Sequence, residues 1–127
     1  NMRDETLFYS KEQAVTATAN STNVLDLGGG DLVHGLYLVL QVGTAFAGLT
    51  KLVATLETAD DAAFSSAETV MTLPDYSAES LTENKVLCKV CLPVGMKKYS
   101  RIKYTVTGTG TAGTMSAFLM DNPGIGL

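Results

Sequence analysis

The sequence has little of the chemistry on which enzymes depend, since it contains one histidine, two cysteines and no tryptophan. Catalysis by a Ser or Cys nucleophile requires a His base that a carboxylate holds in place. His34, the single histidine, follows a glycine-rich loop and precedes an apolar stretch, which is typical of an incidental residue at a strand edge. We therefore expect no enzymatic activity and no catalytic residue.

Motifs that bind phosphate or calcium are also incomplete. Gly28–Gly30 is not followed by the Lys-Ser/Thr pair of a phosphate-binding loop. Asp60 and Asp61 lack the repeated spacing and the terminal Glu of an EF-hand. We interpret the first stretch as a flexible loop and the second as a solvated turn, and we expect no cofactor.

The two cysteines, Cys88 and Cys91, have the spacing of a metal or redox motif, but their flanks are typical of a β-strand. On a strand, residues i and i+3 point to opposite faces, so the two sulfurs are not expected to share a metal ion or a disulfide bond. A zinc site would also need further ligands. We predict that Cys88 packs in the core beside Val86 and Val90, that Cys91 lies on the other face, and that no metal is bound.

Long apolar runs are absent as well. The longest candidate, Leu36–Val42, is much shorter than the roughly 20 residues of a membrane helix. The polar, acidic N-terminus lacks the apolar segment of a signal peptide. A chain of 127 residues is the size of one domain. We therefore expect a single soluble domain, 1–127, assembled in a reducing cytoplasm and without a membrane partner.

What the sequence does contain is a series of short stretches in which apolar and polar residues alternate between turn residues. This pattern predicts seven or eight strands and no sustained helix, so we expect an all-β fold, an antiparallel sandwich that is jelly-roll-like. The stretch Leu36–Val42 is predicted to be buried on both faces. The stretch from Lys98 to Leu119 predicts a long β-hairpin, with Ile102, Tyr104 and Val106 in the core.

We divide the chain into three parts. Residues 1–12 form an extended N-terminal arm with a small apolar anchor at Leu7, Phe8 and Tyr9, residues 13–120 form the body, and residues 121–127 form a C-terminal tail. Arms and tails of this kind often dock on a neighbouring molecule.

Acidic residues are missing from the stretch between Lys85 and Met120, which carries six bases, whereas residues 1–84 carry twelve acids against three bases. Alternation places Arg101 and Lys103 on an outer strand face, next to Lys97 and Lys98 in a turn. A positive face of this kind suits electrostatic contact with an acidic protein or with another copy of the chain. Nucleic acid is the less favoured partner, because the sequence pI is about 4.8 and the many acids elsewhere would repel a polyanion.

Several phrases occur together in one order along nearly the whole chain, from about residue 8 to residue 121. They are Gln13 to Ala19, Ser21 to Gly28, Leu36 to Val39, Thr58 to Ser66, Leu92 to Gly95 and Lys98 to Gly108. In this order they resemble the small capsid cement proteins of tailed phages, of the type found in a Bordetella podophage.

The resemblance implies a jelly-roll-like fold without enzymatic activity, on the outer surface of the capsid in a virion. There, copies would bridge neighbouring subunits of the major capsid protein and stabilise the shell. The expected partners are the major capsid protein and other copies of the chain, as a dimer or trimer at capsid symmetry axes, with no direct contact to nucleic acid.

The residues expected to form protein interfaces come from the arm, the basic face and the tail: Leu7, Phe8, Tyr9, Lys97, Lys98, Arg101, Lys103, Ile125 and Leu127. The alternative hypothesis is a carbohydrate- or receptor-binding jelly-roll module of a virion. That function would need an exposed aromatic platform, and most of the few Tyr and Phe residues fall on predicted core positions.

Overall fold

Alternating stretches of the sequence form extended strands throughout the computed structural model, which describes residues 7–26, 36–92 and 96–121. The ten strands are β1 (Phe8–Ala14), β2 (Ala19–Asn20), β3 (Leu25–Asp26), β4 (Leu36–Val42), β5 (Ala47–Ala59), β6 (Glu68–Thr72), β7 (Tyr76–Ser77), β8 (Val86–Cys91), β9 (Tyr99–Ala112) and β10 (Thr114–Asp121). A short 3-10 turn, Ala78–Ser80, follows β7, and no helix in these ranges is long and apolar enough to cross a membrane.

The strands form two antiparallel sheets that pack face to face. The first sheet has the order β1-β10-β4-β8, and the second has the order β2-β9-β5-β6, with β3 paired to β9 and β7 paired to β5. Strands from the two ends of the chain pair with each other, and the pairs continue toward the middle of the sequence: β1 with β10, β2 with β9, β4 with β8, and β5 with β6. Successive pairs enter opposite sheets, and this wrapped ribbon of strand pairs is the jelly roll that the sequence predicts.

The core lies between the inner faces of the two sheets, where alternation along each strand delivers large apolar side chains. Leu38 and Leu40 of the first sheet and Leu52 and Leu56 of the second are fully buried. The prediction that Leu36–Val42 is buried on both faces is confirmed at its centre, because Val39 on the outer face is also buried. Ile102 and Tyr104 reach the core as predicted, and Val106 packs against it half-buried.

The predicted terminal hairpin is wrong. β9 and β10 lie in different sheets, since β9 pairs with β5 while β10 pairs with β1 and β4. The chain passes between the sheets at Gly113, whose φ of 134° is one that residues with a side chain rarely adopt. The alternation of apolar and polar residues predicts two strands joined by a short turn. It does not distinguish a hairpin within one sheet from a turn that carries the chain into the other sheet.

The predicted N-terminal arm is also wrong over residues 8–12, which belong to β1 and pair with β10. Burial of Tyr9 and Ser10 makes this stretch part of the body. The connection of residues 75–84 likewise contributes to the core, because Leu81 is fully buried and its carbonyl accepts a hydrogen bond from the Phe46 N–H at 3.0 Å.

Candidate protein-interaction surface

The basic face predicted on β9 lies on the outer side of the second sheet, but acids from neighbouring strands neutralise part of it. Arg101 donates from Nε to Glu57 Oε1 at 2.8 Å, and its guanidinium lies 4.2 Å from the centre of the Phe64 ring. Register explains the ion pair, since Glu57 on β5 lies directly opposite Arg101. Arg101 is therefore committed to an intramolecular contact.

Lys97 is committed in the same way. Its Nζ lies 2.8 Å from Glu68 Oε2 and 3.8 Å from Asp60 Oδ2, and the hydrogen bond to Glu68 raises the pKa of the ammonium group. The remaining two members of the predicted face differ: Lys98 lies over the Tyr99 ring at 5.4 Å, and Lys103 is half-buried between strands β2 and β5. The face is thus of mixed charge.

The three arm residues occupy positions in the body. Tyr9 is fully buried, and its hydroxyl forms a 2.8 Å hydrogen bond with Ser100 Oγ, so the proposal of Tyr9 as an interface residue is wrong. Leu7 packs half-buried against the core. Phe8 is half-buried against Phe118, with the ring centres 4.9 Å apart. Ile125 and Leu127, like His34 and Gly28–Gly30, lie outside the described residues.

Phe8 belongs to an apolar cluster on the outer face of the first sheet. Val39, Phe118 and Met120 form its buried part, whereas Leu38, Leu40 and Leu119 point inward. A groove of about 290 Å³ runs beside the cluster and is lined by Phe8, Phe118 and polar side chains that include Lys11, Glu12 and Glu83. The two sheets therefore have unlike outer faces, one apolar at its centre and the other polar and threonine-rich.

One open side of the sandwich is sealed by the segment that links β2 to β3. Asn23 donates from its backbone N–H to the Tyr9 carbonyl at 3.0 Å and from Nδ2 to the Phe8 carbonyl at 3.1 Å. Ser21 exchanges hydrogen bonds with the Ile102 backbone, at 2.6 Å and 3.0 Å. The Phe8 and Tyr9 carbonyls at the start of β1 are in this way satisfied within the chain, which removes them as a template for another strand.

The opposite side presents strand β8, which pairs with β4 and ends the first sheet. Its residues Val86, Lys89 and Cys91 are exposed, and Val86 has 43% of its surface open to solvent. The prediction that Val86 faces the core is wrong, because an irregularity in the β4–β8 register between Leu40 and Gln41 turns it outward. Sequence reasoning missed this edge, although a lysine within an apolar strand is a known mark of one.

The two cysteines of β8 lie on opposite faces, as predicted. Cys88 is half-buried opposite Leu40 on the inner face, and burial raises the pKa of its thiol. Cys91 is exposed opposite Tyr37 on the outer face. Tyr76 contacts the Cys88 thiol, and burial raises the pKa of its hydroxyl to about 12.

Lys85 and Lys89 give the β8 edge its charge. Within the described part of the chain, neither ammonium group has a carboxylate within 4.0 Å. Lys51, Lys97 and Arg101, in contrast, each have an acidic partner. The β8 edge, defined as Lys85 to Cys91, therefore combines a strand that is paired on one side only with two cations that have no acidic partner among the described residues.

The same ranges contain no group of three or more His, Cys, Asp or Glu side chains placed to hold a metal ion. Every buried side-chain nitrogen or oxygen in them has a hydrogen-bond partner. The buried hydroxyls of Ser10, Ser21, Thr58 and Ser100 serve as links between strands.

Comparison with known proteins adds one match. The Bbp16 family model matches residues 9–119, which extend from β1 to β10 and include both sheets. No curated protein matches the chain. Since the match covers most of the chain, the protein belongs to the Bbp16 family, whose name indicates a Bordetella phage protein.

Proposed function

We propose that the protein is a capsid cement protein. It binds the outer surface of an icosahedral phage head and bridges neighbouring subunits of the major capsid protein, which stabilises the shell. The observation that carries this proposal is the match to a phage protein family over the whole jelly-roll body, residues 9–119.

The fold is suited to this role. A β-sandwich whose buried side-chain polar groups are satisfied internally, as they are among the described residues, is a rigid block, and a rigid block loses little conformational freedom when it binds. Many copies on one shell act together, because each seam that a copy bridges must open before subunits separate. Modest affinity per copy is then sufficient to resist the outward pressure of packaged DNA.

The protein is proposed to have no enzymatic activity, and its partners are proposed to be the major capsid protein and other copies of itself, without direct binding of nucleic acid. The ion pairs of Arg101 with Glu57 and of Lys97 with Glu68 support the last point, since these two cations already have acidic partners within the chain. Self-association as a dimer or trimer is measured by sedimentation of the purified protein.

The alternative, a carbohydrate- or receptor-binding module, is not favoured by the aromatic side chains. All nine Tyr and Phe residues lie within the described residues, and each is buried or half-buried. A flat exposed ring for stacking on a sugar is therefore not present.

The proposal is tested by adding purified protein to capsids that lack it. We expect saturable binding at a fixed ratio to the major capsid protein, together with increased resistance of the capsids to heat. Bovine serum albumin at the same concentration serves as the control for nonspecific adsorption. Binding that does not saturate, or saturates without any gain in heat resistance, contradicts the proposal.

A further inference from the structure

We propose that the β8 edge is the strand through which the protein engages the shell: β8 accepts an extended, acidic segment of a major capsid subunit as a fifth strand of the first sheet. This inference rests on the proposed function and specifies the contact. Addition of a strand to a free sheet edge is a common mode of peptide recognition, in which main-chain hydrogen bonds supply affinity and alternate side chains supply specificity.

The backbone of β8 is oriented for such an addition. Leu92 donates to the Leu36 carbonyl at 3.1 Å, so at this register its N–H points toward β4. The backbone N–H and C=O groups of successive residues point alternately to the two sides of an antiparallel strand. Those of Val90 and Cys88 therefore also point toward β4, whereas those of Lys89 and Cys91 point toward the open edge of the sheet. Lys89 and Cys91 therefore offer their N–H and C=O groups to an incoming strand.

Charge identifies the kind of segment that fits. Lys85 and Lys89 lack carboxylate partners among the described residues, so an incoming strand with acidic side chains would neutralise both. A second copy of β8 is a poor occupant, because antiparallel self-pairing would bring four lysines into one seam. The occupant is therefore a segment of the shell subunit.

The other edges lack this combination. The edges of β1 and β9 near the β2–β3 link are bridged by Ser21 and Asn23. β6 exposes threonines, and its one charged residue, Glu68, is bound by Lys97. Within residues 7–26, 36–92 and 96–121, β8 is the only strand that combines an edge open to backbone hydrogen bonding with charged side chains that have no partner of opposite charge.

Two pairs of matched variants test the inference in the capsid-binding assay. The double variant K85E/K89E reverses the charge of the edge, and K98E/K103E makes the same charge change beside the second sheet. Cys91→Pro removes one outward N–H without changing charge, and Cys91→Ala is its control. We expect K85E/K89E and Cys91→Pro to weaken binding by at least about tenfold, and both controls to bind within about twofold of the wild type.

Amide hydrogen exchange provides a second measurement on the unaltered protein. The amides of Lys89 and Cys91 are expected to exchange rapidly in the free protein and at least about tenfold more slowly on the capsid, as new hydrogen bonds form. Unchanged exchange at these two amides in the bound state would overturn the inference, whatever the behaviour of the variants.

The outcomes separate the two proposals. If the wild type does not bind, the proposed function fails, and the β8 contact fails with it. If the wild type binds and the edge variants bind equally well, the cement function stands and the β8 contact is refuted. Loss of binding by K98E/K103E alone would show that the contact lies on the second sheet. A changed sedimentation of the free K85E/K89E variant would show that the β8 edge is a contact between copies of the protein. Either result overturns the inference.

Discussion

At the scale of single residues, the two cysteines show how strand geometry separates chemically identical groups. Cys88 is half-buried against the core and in contact with Tyr76, whereas Cys91 is exposed on the outer face of the same strand. A Cys-x-x-Cys sequence on a strand is in this way two independent thiols rather than one site.

We predict that Cys91 is alkylated by iodoacetamide at neutral pH well before Cys88, because burial raises the pKa of the Cys88 thiol and limits access to it. Mass spectrometry of the labelled peptides measures the two rates. Cys91→Ser should leave only the slow reaction. Equal rates for the two cysteines in the folded protein would contradict this assignment.

At the scale of elements, the passage from β9 to β10 decides the topology. A single residue, Gly113, carries the chain from one sheet to the other, and its carbonyl accepts a hydrogen bond from the Val15 N–H at 3.1 Å. A Cβ atom added at Gly113 would overlap the ring of buried Phe46. Both the backbone conformation and the available space therefore require glycine.

Gly113→Ala is expected to lower the free energy of unfolding by about 1–3 kcal/mol, since alanine at this φ is strained and displaces Phe46. Urea unfolding measures the loss. Thr107→Ala, at an exposed position of β9, the strand that precedes Gly113, is the control and should change stability by less than about 0.5 kcal/mol. A stability for Gly113→Ala equal to that of the control would show that the corner tolerates a side chain.

At the scale of the whole molecule, two buried hydroxyl pairs fasten the sheets to each other. Tyr9 of the first sheet bonds Ser100 of the second at 2.8 Å, and Ser10 of the first bonds Tyr104 of the second at 2.8 Å. Burial raises the pKa of both tyrosines far above the ordinary value. Ionisation of either one is therefore coupled to separation of the sheets.

Stability is expected to fall under alkaline conditions. Unfolded tyrosines lose their protons near about pH 10, while the folded protein retains those of Tyr9 and Tyr104, so the unfolded state is favoured as the pH rises further. The contribution is fully present below about pH 10 and declines above it by about 1.4 kcal/mol per pH unit for each tyrosine.

Urea unfolding from about pH 8 to about pH 11, followed together with tyrosinate absorbance, measures this effect. Of the five tyrosines, Tyr9 and Tyr104 should ionise only as the protein unfolds, and Tyr76, whose pKa is raised to about 12, should also stay largely protonated in the folded protein over this range. Complete, gradual ionisation of all five without loss of β-structure would contradict the prediction.

The sequence by itself determined most of the strands and most of their inward faces, because alternation of apolar and polar residues is a local property; residues 8–12 and Val86 are the exceptions. It predicted both ends of the strand Leu36–Val42, the burial of Ile102 and Tyr104 in the core, and the position of the two cysteines on opposite faces of one strand. It also predicted a jelly-roll-like sandwich, since strand number and turn spacing restrict the possible architectures.

Only the tertiary structure decided which strands pair and which charges remain free. Burial of Tyr9 within β1, the sheet change at Gly113 and the ion pair of Glu57 with Arg101 each join residues far apart in the chain. A run of bases looks the same whether or not distant acids lie opposite it. For that reason the sequence indicated Lys97 and Arg101 as the contact surface, whereas the fold neutralises them and leaves Lys85 and Lys89 on an open strand.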